Sequence, residues 1–506
     1  MGAAAAAPLA AAARRPNIIL MMADDMGFSD LGCYGSEIAT PNIDRLAKGG
    51  LRFTQFYNTA RCCPTRASLL TGLYPHQAGV GHMVNNRGIP PYQGYLNDRC
   101  VTIAEAIRQG GYHALMCGKW HVGEERPHWP LDRGFERYFG LISGASNYFR
   151  LDKGRKMALD NTPYTPDSPK FYMTDAFTDH AVKLIDEYGR KPEPYFLYLA
   201  FTSPHWPLHA WPEDIAKYRG KYRKGWDRLR EERHRRQIEM GIVDRKWPLT
   251  PRDPSAPAWD SVKNQDDFDL RMAVYAAQID RMDQNVGRVL AKVKELGQED
   301  NTLIMLLADN GGCAEEVDRG TAGVPAGPAD SFFSYGLPWA NASNTPFRLY
   351  KHWVHEGGIS SPLIAYWPSV IKQRGALTNQ MGHLVDLMAT CLDAGGVQYP
   401  KTYQGRPVTP AEGRSLVPVF QGRQRTPHPY LCWEHEGNRA VRQGNWKLVS
   451  RHPGNWELYD MAADRTEMRN LAEQNAAKVK ELTGIYDAWA ARCGVVPWSK
   501  LPKGKG

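Results

Sequence analysis

The stretch Asn17–Asp25, NIILMMADD, sets the fold: an unbroken apolar run leads straight into two carboxylates. The same pattern returns at His113–Met116 ahead of Lys119 and His121, and at Tyr195–Phe201 (YFLYLAF) ahead of His205. It appears once more at Thr302–Leu307 (TLIMLL), ahead of Asp309 and Asn310. Continuous apolar runs of this length suit strands covered on both faces, as in a parallel sheet. Helix signals stand between them. Thr40-Pro41 opens and Gly49-Gly50 closes a short helix carrying Ile43, Leu46 and Ala47, with proline in the first turn and glycine at the end. Thr102 and Glu105 form a T-x-x-E capping box. Ala276, Ile279, Met282, Val286, Val289 and Val293 stripe one face of a helix expected over residues 268–296. Alternating strands and helices predict a doubly wound α/β domain, whose ligands gather at the carboxyl ends of the strands. The polar clusters stand at those ends.

From about residue 400 the texture changes to short strand-like pieces, Arg439–Ser450 and Trp456–Tyr459, followed by an amphipathic helix with Val479, Leu482, Ile485, Tyr486 and Trp489. The expected organisation is a leader or signal remnant over 1–14, a catalytic α/β domain over 15–400 and a smaller α+β domain over 401–506. The leader is alanine-rich but lacks the basic segment that should precede such a run. It favours the bacterial periplasm or secretion over the cytoplasm. The Gly/Pro-rich stretch Gly320–Pro346 reads as a long loop without regular structure, the usual form of a lid or site wall.

With 42% hydrophobic and 23% charged residues in 506, the chain has a globular balance, which excludes disordered, collagen-like and coiled-coil classes. No apolar run approaches the ~20 residues of a membrane-spanning helix, so no membrane partner is expected. Sixty-three basic residues against 54 acidic leave a net charge of +9. Much of the excess lies in Lys217–Lys246, where Glu231, Glu232 and Glu239 interrupt the arginines. That pattern favours a solvated helix over a nucleic-acid or polyanion patch. Nine cysteines without zinc-like spacing leave at least one thiol free.

Asp24-Asp25 and Asp309-Asn310 supply hard oxygen donors after buried strands. Such a set suits Ca²⁺ or Mg²⁺ over zinc, which prefers nitrogen and sulfur. A second cluster reads Cys62-Cys63-Pro64-Thr65-Arg66, followed by LLTG at Leu69–Gly72. C-x-P-x-R with LLTG resembles the sulfatase signature, whose first cysteine is oxidised after synthesis to the aldehyde formylglycine. TPNIDRLA (Thr40–Ala47), GKWHVG (Gly118–Gly123), SPHWP (Ser203–Pro207), LADNGG (Leu307–Gly312) and HEGG (His355–Gly358) extend the resemblance along most of the chain. KYRGKY with GWDRLREER, and PADSFFSYG with WANASNTPFRLYKHW, look like the bacterial arylsulfatase branch. Thr65 stands where serine is commoner, and Ser360 where arginine is common.

The resemblance implies an alkaline-phosphatase-like fold, a large mixed, mostly parallel sheet flanked by helices. It also implies a site. Asp24, Asp25, Asp309 and Asn310 would hold Ca²⁺, with Mg²⁺ the lesser alternative and modified Cys62 completing the shell. Arg66 would fix the formylglycine, Lys119 and Lys351 would bind sulfate oxygens, His121 would help deprotonate the hydrate, and His205 would protonate the leaving oxygen. Asp309 could also take the nucleophile's proton. Lys351 has His352 and His355 as neighbouring alternatives; His82, His209, His352 and His355 are further candidates for substrate contact.

A sulfate ester spreads its negative charge around a shielded sulfur, so the chemistry needs charge neutralisation and a placed nucleophile. The implied partners are a sulfate ester, aryl or sugar, and a formylglycine-generating maturation enzyme. Two other functions fit the motif: hydrolysis of phosphonate monoesters or phosphodiesters, and binding of sulfated glycan without turnover.

Overall fold

The structure is a computed structural model that describes residues 15–504; the expected leader lies outside the described residues. Eleven strands form one sheet: β1 (Asn17–Asp24), β2 (Leu51–Tyr57), β3 (His113–Gly118), β4 (Arg137–Leu141), β5 (Met157–Leu159), β6 (Thr162–Pro163), β7 (Tyr195–Pro204), β8 (Thr302–Ala308), β9 (Ser360–Tyr366), β10 (Ala376–Thr378) and β11 (Gly382–His383). β1 lies between β8 and β7 and is parallel to both, while β3 and β4 extend the parallel set beyond β7. β9 is antiparallel to β8 and to β2, so β2 runs in the direction of β1.

Every residue of β1, β7 and β8 is buried, as the apolar runs require. Alternation divides β1 between two cores. Ile19 and Met21 join Ile279, Met282 and Val286 of the helix Gln265–Glu295, whereas Ile18, Leu20 and Met22 join Leu69 and Leu70 of the helix Cys62–Thr71. The long helix starts three residues before its apolar stripe predicts, with Asp266 and Asp267 in the first turn, where carboxylates favour the positive end of the helix dipole.

Two sequence expectations need correction. Gly320–Pro346 contains a helix, Gly336–Ser343, despite its turn-rich composition. Pro338 falls in the first turn, where its missing N–H costs nothing, and Trp339 packs on Tyr222 and Trp226. The helix in Lys217–Lys246, Gly225–Glu239, is solvated on one face only. Arg228 and Arg235 are exposed and pair with acids along the helix. Arg233 is fully buried between Asp30 at 2.7 Å and Glu37 at 2.9 Å, bracing the loop that follows β1.

A second, antiparallel sheet comprises Leu431–His435, Asn438–Gln443, Trp446–Ser450 and Glu457–Asp460. One face packs on Leu482, Tyr486 and Trp489 of the helix Ala476–Cys493. Trp433, Ala440 and Val449 on the other face meet Tyr57, Ala60, Val354 and Ile359. The small sheet is therefore braced against the segments that flank Cys62 and Lys351. Leu416, Val417 and Phe420, before it in the chain, belong to a core of the large sheet. Among the described residues, no helix is long and apolar enough to cross a membrane.

Candidate active site

The parallel strands bring five segments to one edge of the sheet. β1 delivers Asp24 and Asp25, β8 leads to Asp309 and Asn310, β3 to Lys119 and His121, β7 to His205, and β2 to Cys62. Antiparallel β9 begins at the same edge, preceded by Lys351. Three site turns hold non-glycine residues at positive φ: Asp25 at 64°, Ala60 at 65° and His121 at 56°. L-residues pay for that conformation, and surroundings that over-determine it commonly belong to functional sites.

Cys62 is the first residue of its helix, and all ten residues of that helix are buried. Pro64 stands in the first turn without loss of a hydrogen bond, and Gly72 closes the helix in the left-handed conformation, φ 68°. No side chain caps the N-terminus, so its first N–H groups favour negative charge. Thr65, the departure from serine, donates its hydroxyl to the Asp309 carbonyl oxygen at 2.6 Å, tying this helix to β8. Arg66 donates to the Lys119 carbonyl oxygen at 2.8 Å and lies 3.3 Å from both Asp24 and Asp309.

The other predicted residues converge on the same carboxylates. Lys119 Nζ is 2.5 Å from Asp24 Oδ2, and Lys351 Nζ is 2.9 Å from the Asp25 carboxylate. His205 Nε2 lies 3.4 Å from Lys351 Nζ and 3.5 Å from Asp25 Oδ2. Asn310 Nδ2 donates to Asp25 Oδ1 at 2.7 Å, and the Asp25 amide donates to Asp309 Oδ1 at 3.1 Å. Lys351 joins the cluster where its neighbours do not: His352 turns to Glu436 at 3.0 Å and His355 to Glu457 at 3.5 Å. His82 also meets Glu436, at 2.6 Å. His209 is taken up by Tyr148 N and the Ser331 carbonyl.

The donor set fits a hard divalent cation. Asp24 Oδ1 and Asn310 Oδ1 are buried oxygens with no hydrogen-bond partner, a costly condition that a cation relieves. Asp24 Oδ2 and the Asp25 carboxylate press against Lys119 and Lys351, and Asp309 against Arg66, so cationic side chains stand where positive charge is wanted. Oxygen donors of this kind match Ca²⁺ or Mg²⁺.

The electrostatics follow from burial. Burial alone would raise the Asp24 pKa, but Lys119, His205 and Arg66 bring it to about 2. Burial and the charge of Asp24 push Asp309 well above the usual carboxylate range. A hydrogen bond from Cys63, opposed by burial and helped by Lys119 and His121, holds the Cys62 thiol well below its ordinary value. Burial lowers His121 and His205, keeping both imidazoles neutral at pH 7.

Three features escape sequence reasoning. Cys63 Sγ lies 3.4 Å from His121 Nε2. Arg61 pairs with Glu315 at 2.9 Å beside the cluster. Arg465 reaches Ser360 Oγ at 2.8 Å and Glu356 at 3.0 Å, so a guanidinium from far along the chain sits against the position where arginine is common.

A profile described as Sulfatase matches residues 16–397. The chain belongs to the sulfatase family. As a sulfatase it is a sulfuric ester hydrolase with the alkaline-phosphatase-like α/β architecture expected from its motifs. A second profile, N-sulphoglucosamine sulphohydrolase, C-terminal, matches residues 347–484. The sulfatase is 35% identical to an uncharacterized sulfatase of Schizosaccharomyces pombe, over 96% of this chain and 95% of that one. It is 33% identical to an arylsulfatase of Klebsiella aerogenes, over 82% of this chain and 94% of that one. Among solved structures it resembles Ps i-CgsB in complex with k-i-k-neocarrahexaose, with TM-score 0.72, 25% identity, and coverage of 97% and 95%.

Proposed function

We propose that the chain hydrolyses sulfate monoesters of the arylsulfatase type, with Cys62 matured to formylglycine and Ca²⁺ held by Asp24, Asp25, Asp309 and Asn310. The observation that carries this reading is the position of Cys62: it opens a buried helix with its thiol within 4.8 Å of the His121 ring nitrogen, and Lys119, Arg66 and the oxygen cluster stand around it. Matured by an enzyme of the producing cell, position 62 supplies two geminal hydroxyls, one to attack sulfur and one whose deprotonation releases sulfate. A bound divalent cation would lower the pKa of a hydroxyl and neutralise sulfate oxygens.

The chain's own residues do the rest. Arg66 fixes the loop through the Lys119 carbonyl and ties Asp24 to Asp309. Lys119 and Lys351 offer their ammonium groups to the sulfate oxygens once substrate competes with Asp24 and Asp25. His121 is neutral and placed to accept the hydrate's proton, with Asp309 as a second acceptor. His205 Nε2 faces the Lys351 ammonium at 3.4 Å, and this pair holds the proton for the leaving oxygen. The negative charge of a bound sulfate ester raises the affinity of that pair for its proton.

Paired assays test the reaction class. An aryl sulfate is expected to be the better substrate by kcat/KM, and a clear preference for an aryl phosphonate monoester would replace this reading. His205→Ala tests the acid. It is expected to lower kcat by about 10²- to 10⁴-fold for alkyl sulfates, and by much less for nitrophenyl sulfate, whose leaving group needs no proton. Equal losses on both would remove His205 from that role.

A further inference from the structure

The thiols of two adjacent cysteines meet one imidazole. Cys63 Sγ lies 3.4 Å from His121 Nε2, and the donor atoms of Cys62, Cys63 and His121 all fall within 4.8 Å of one another. All three residues are buried, at 2%, 0% and 5% exposure. Tetrahedral zinc, with Zn–S of about 2.3 Å and Zn–N of about 2.0 Å, sets its sulfur and nitrogen ligands about 3.5 Å apart and two sulfurs about 3.8 Å apart. The observed spacing therefore already approximates one edge of such a tetrahedron. Metal binding at His121 Nε2 puts the ring proton on Nδ1, which has no protein partner. Glu124 Oε1, 3.9 Å from the same nitrogen, stands where a fourth ligand could come from.

We propose that, while Cys62 is a thiol, Cys62, Cys63 and His121 form a binding site for a soft d¹⁰ cation such as Zn²⁺. The two halves of the pocket differ in chemistry. Asp24, Asp25, Asp309 and Asn310 offer only hard oxygen, whereas the cysteine pair and His121 offer sulfur and nitrogen, so zinc partitions to the second set and calcium to the first. Lys119 does not veto the site, because Asp24 holds its ammonium at 2.5 Å. Cys63 is the deciding residue: with it the unmatured pocket offers a metal two sulfurs, and without it one. Replacing the Cys62 sulfur by an aldehyde oxygen leaves a single thiolate and dismantles the soft site. The binding itself does not depend on the proposed function; its loss on maturation rests on the formylglycine reading.

The test uses full-length protein made in cells without formylglycine-generating activity, with the Cys62 thiol verified by mass spectrometry. Cobalt(II), the optical probe for zinc, is expected to bind one ion per chain with thiolate-to-metal charge-transfer bands and tetrahedral d–d bands, both bleached by added Zn²⁺. Zinc should also protect Cys62 and Cys63 from alkylation. Cys63→Ser is expected to weaken binding by more than the roughly 10- to 100-fold typical of losing an outer-shell partner. Matured protein of unaltered sequence gives a control that needs no variant, and it should lack the charge-transfer bands. Cobalt spectra without thiolate bands, no alkylation protection, or equal affinity in Cys63→Ser would overturn the site. Charge-transfer bands that persist in protein with verified formylglycine would overturn its loss on maturation. Failure to find formylglycine in any host would count against the proposed function and leave the thiol-state binding to stand or fall on its own spectra.

Discussion

Cys62→Ala is expected to leave the protein folded and to abolish turnover of sulfate esters, lowering kcat on the order of 10⁴-fold or more, the scale on which loss of a covalent nucleophile acts. Alanine retains the helix start, and the lost sulfur costs the buried site only about 1 kcal/mol. No other group in the pocket replaces it. Cys63 is turned to His121, and burial together with its Cys62 neighbour raises its thiol pKa far above the ordinary value. Melting curves and aryl sulfate kinetics on the same preparation separate the two effects. Activity within tenfold of the unaltered enzyme's would exclude position 62 as the source of the nucleophile.

The largest stability loss is expected from Glu356→Ala. Glu356 is fully buried, with Lys447 at 2.9 Å, Arg465 at 3.0 Å and the Tyr57 hydroxyl at 3.1 Å, while Lys447 also pairs with Glu467 at 2.8 Å. Burial opposes ionisation of Glu356, but Lys447 and Arg465 hold its pKa at about 2 against an ordinary 4.5. Removing the carboxylate leaves Arg465 buried without its acidic partner and Lys447 with Glu467 alone, at a cost of about 3–5 kcal/mol. The folded pKa is the depressed one, so this contribution is fully present above pH 4.5 and is lost as pH falls toward 2. Denaturant unfolding at neutral pH checks the loss, and the gap between the variant and the parent protein should narrow as pH is lowered through that window. A change below 1 kcal/mol would mean that the network is not what holds the small sheet to the segments around Tyr57 and Lys351.

Much of this architecture was written plainly in the chain. NIILMMADD, YFLYLAF and TLIMLL are continuous apolar runs because β1, β7 and β8 are covered on both faces, and the polar residues that follow them share one sheet edge. The C-x-P-x-R segment was legible through its resemblance to the sulfatase signature, because its residues stand together in one short helix even though Thr65 and Arg66 reach partners far along the chain. Other features have no local signal. Lys351, His352 and His355 are alike by composition, and only the chain path turns Lys351 toward Asp25. Arg465 meets Ser360 across 105 residues of sequence. Arg233 reads as one of several surface arginines until Asp30 and Glu37 are seen to enclose it. The helix Gly336–Ser343 was hidden by Gly336 and Pro338, breakers in most settings but tolerable in a first turn under a buried tryptophan.

The central claim is that an aldehyde at position 62 performs the chemistry. Mass spectrometry of the Cys62 peptide, run on preparations matured to different extents and assayed in parallel with an aryl sulfate, tests it most directly. The account predicts that specific activity rises in proportion to the fraction of formylglycine and extrapolates to zero for the pure thiol. Full activity in a preparation whose Cys62 carries only an intact sulfhydryl would contradict it.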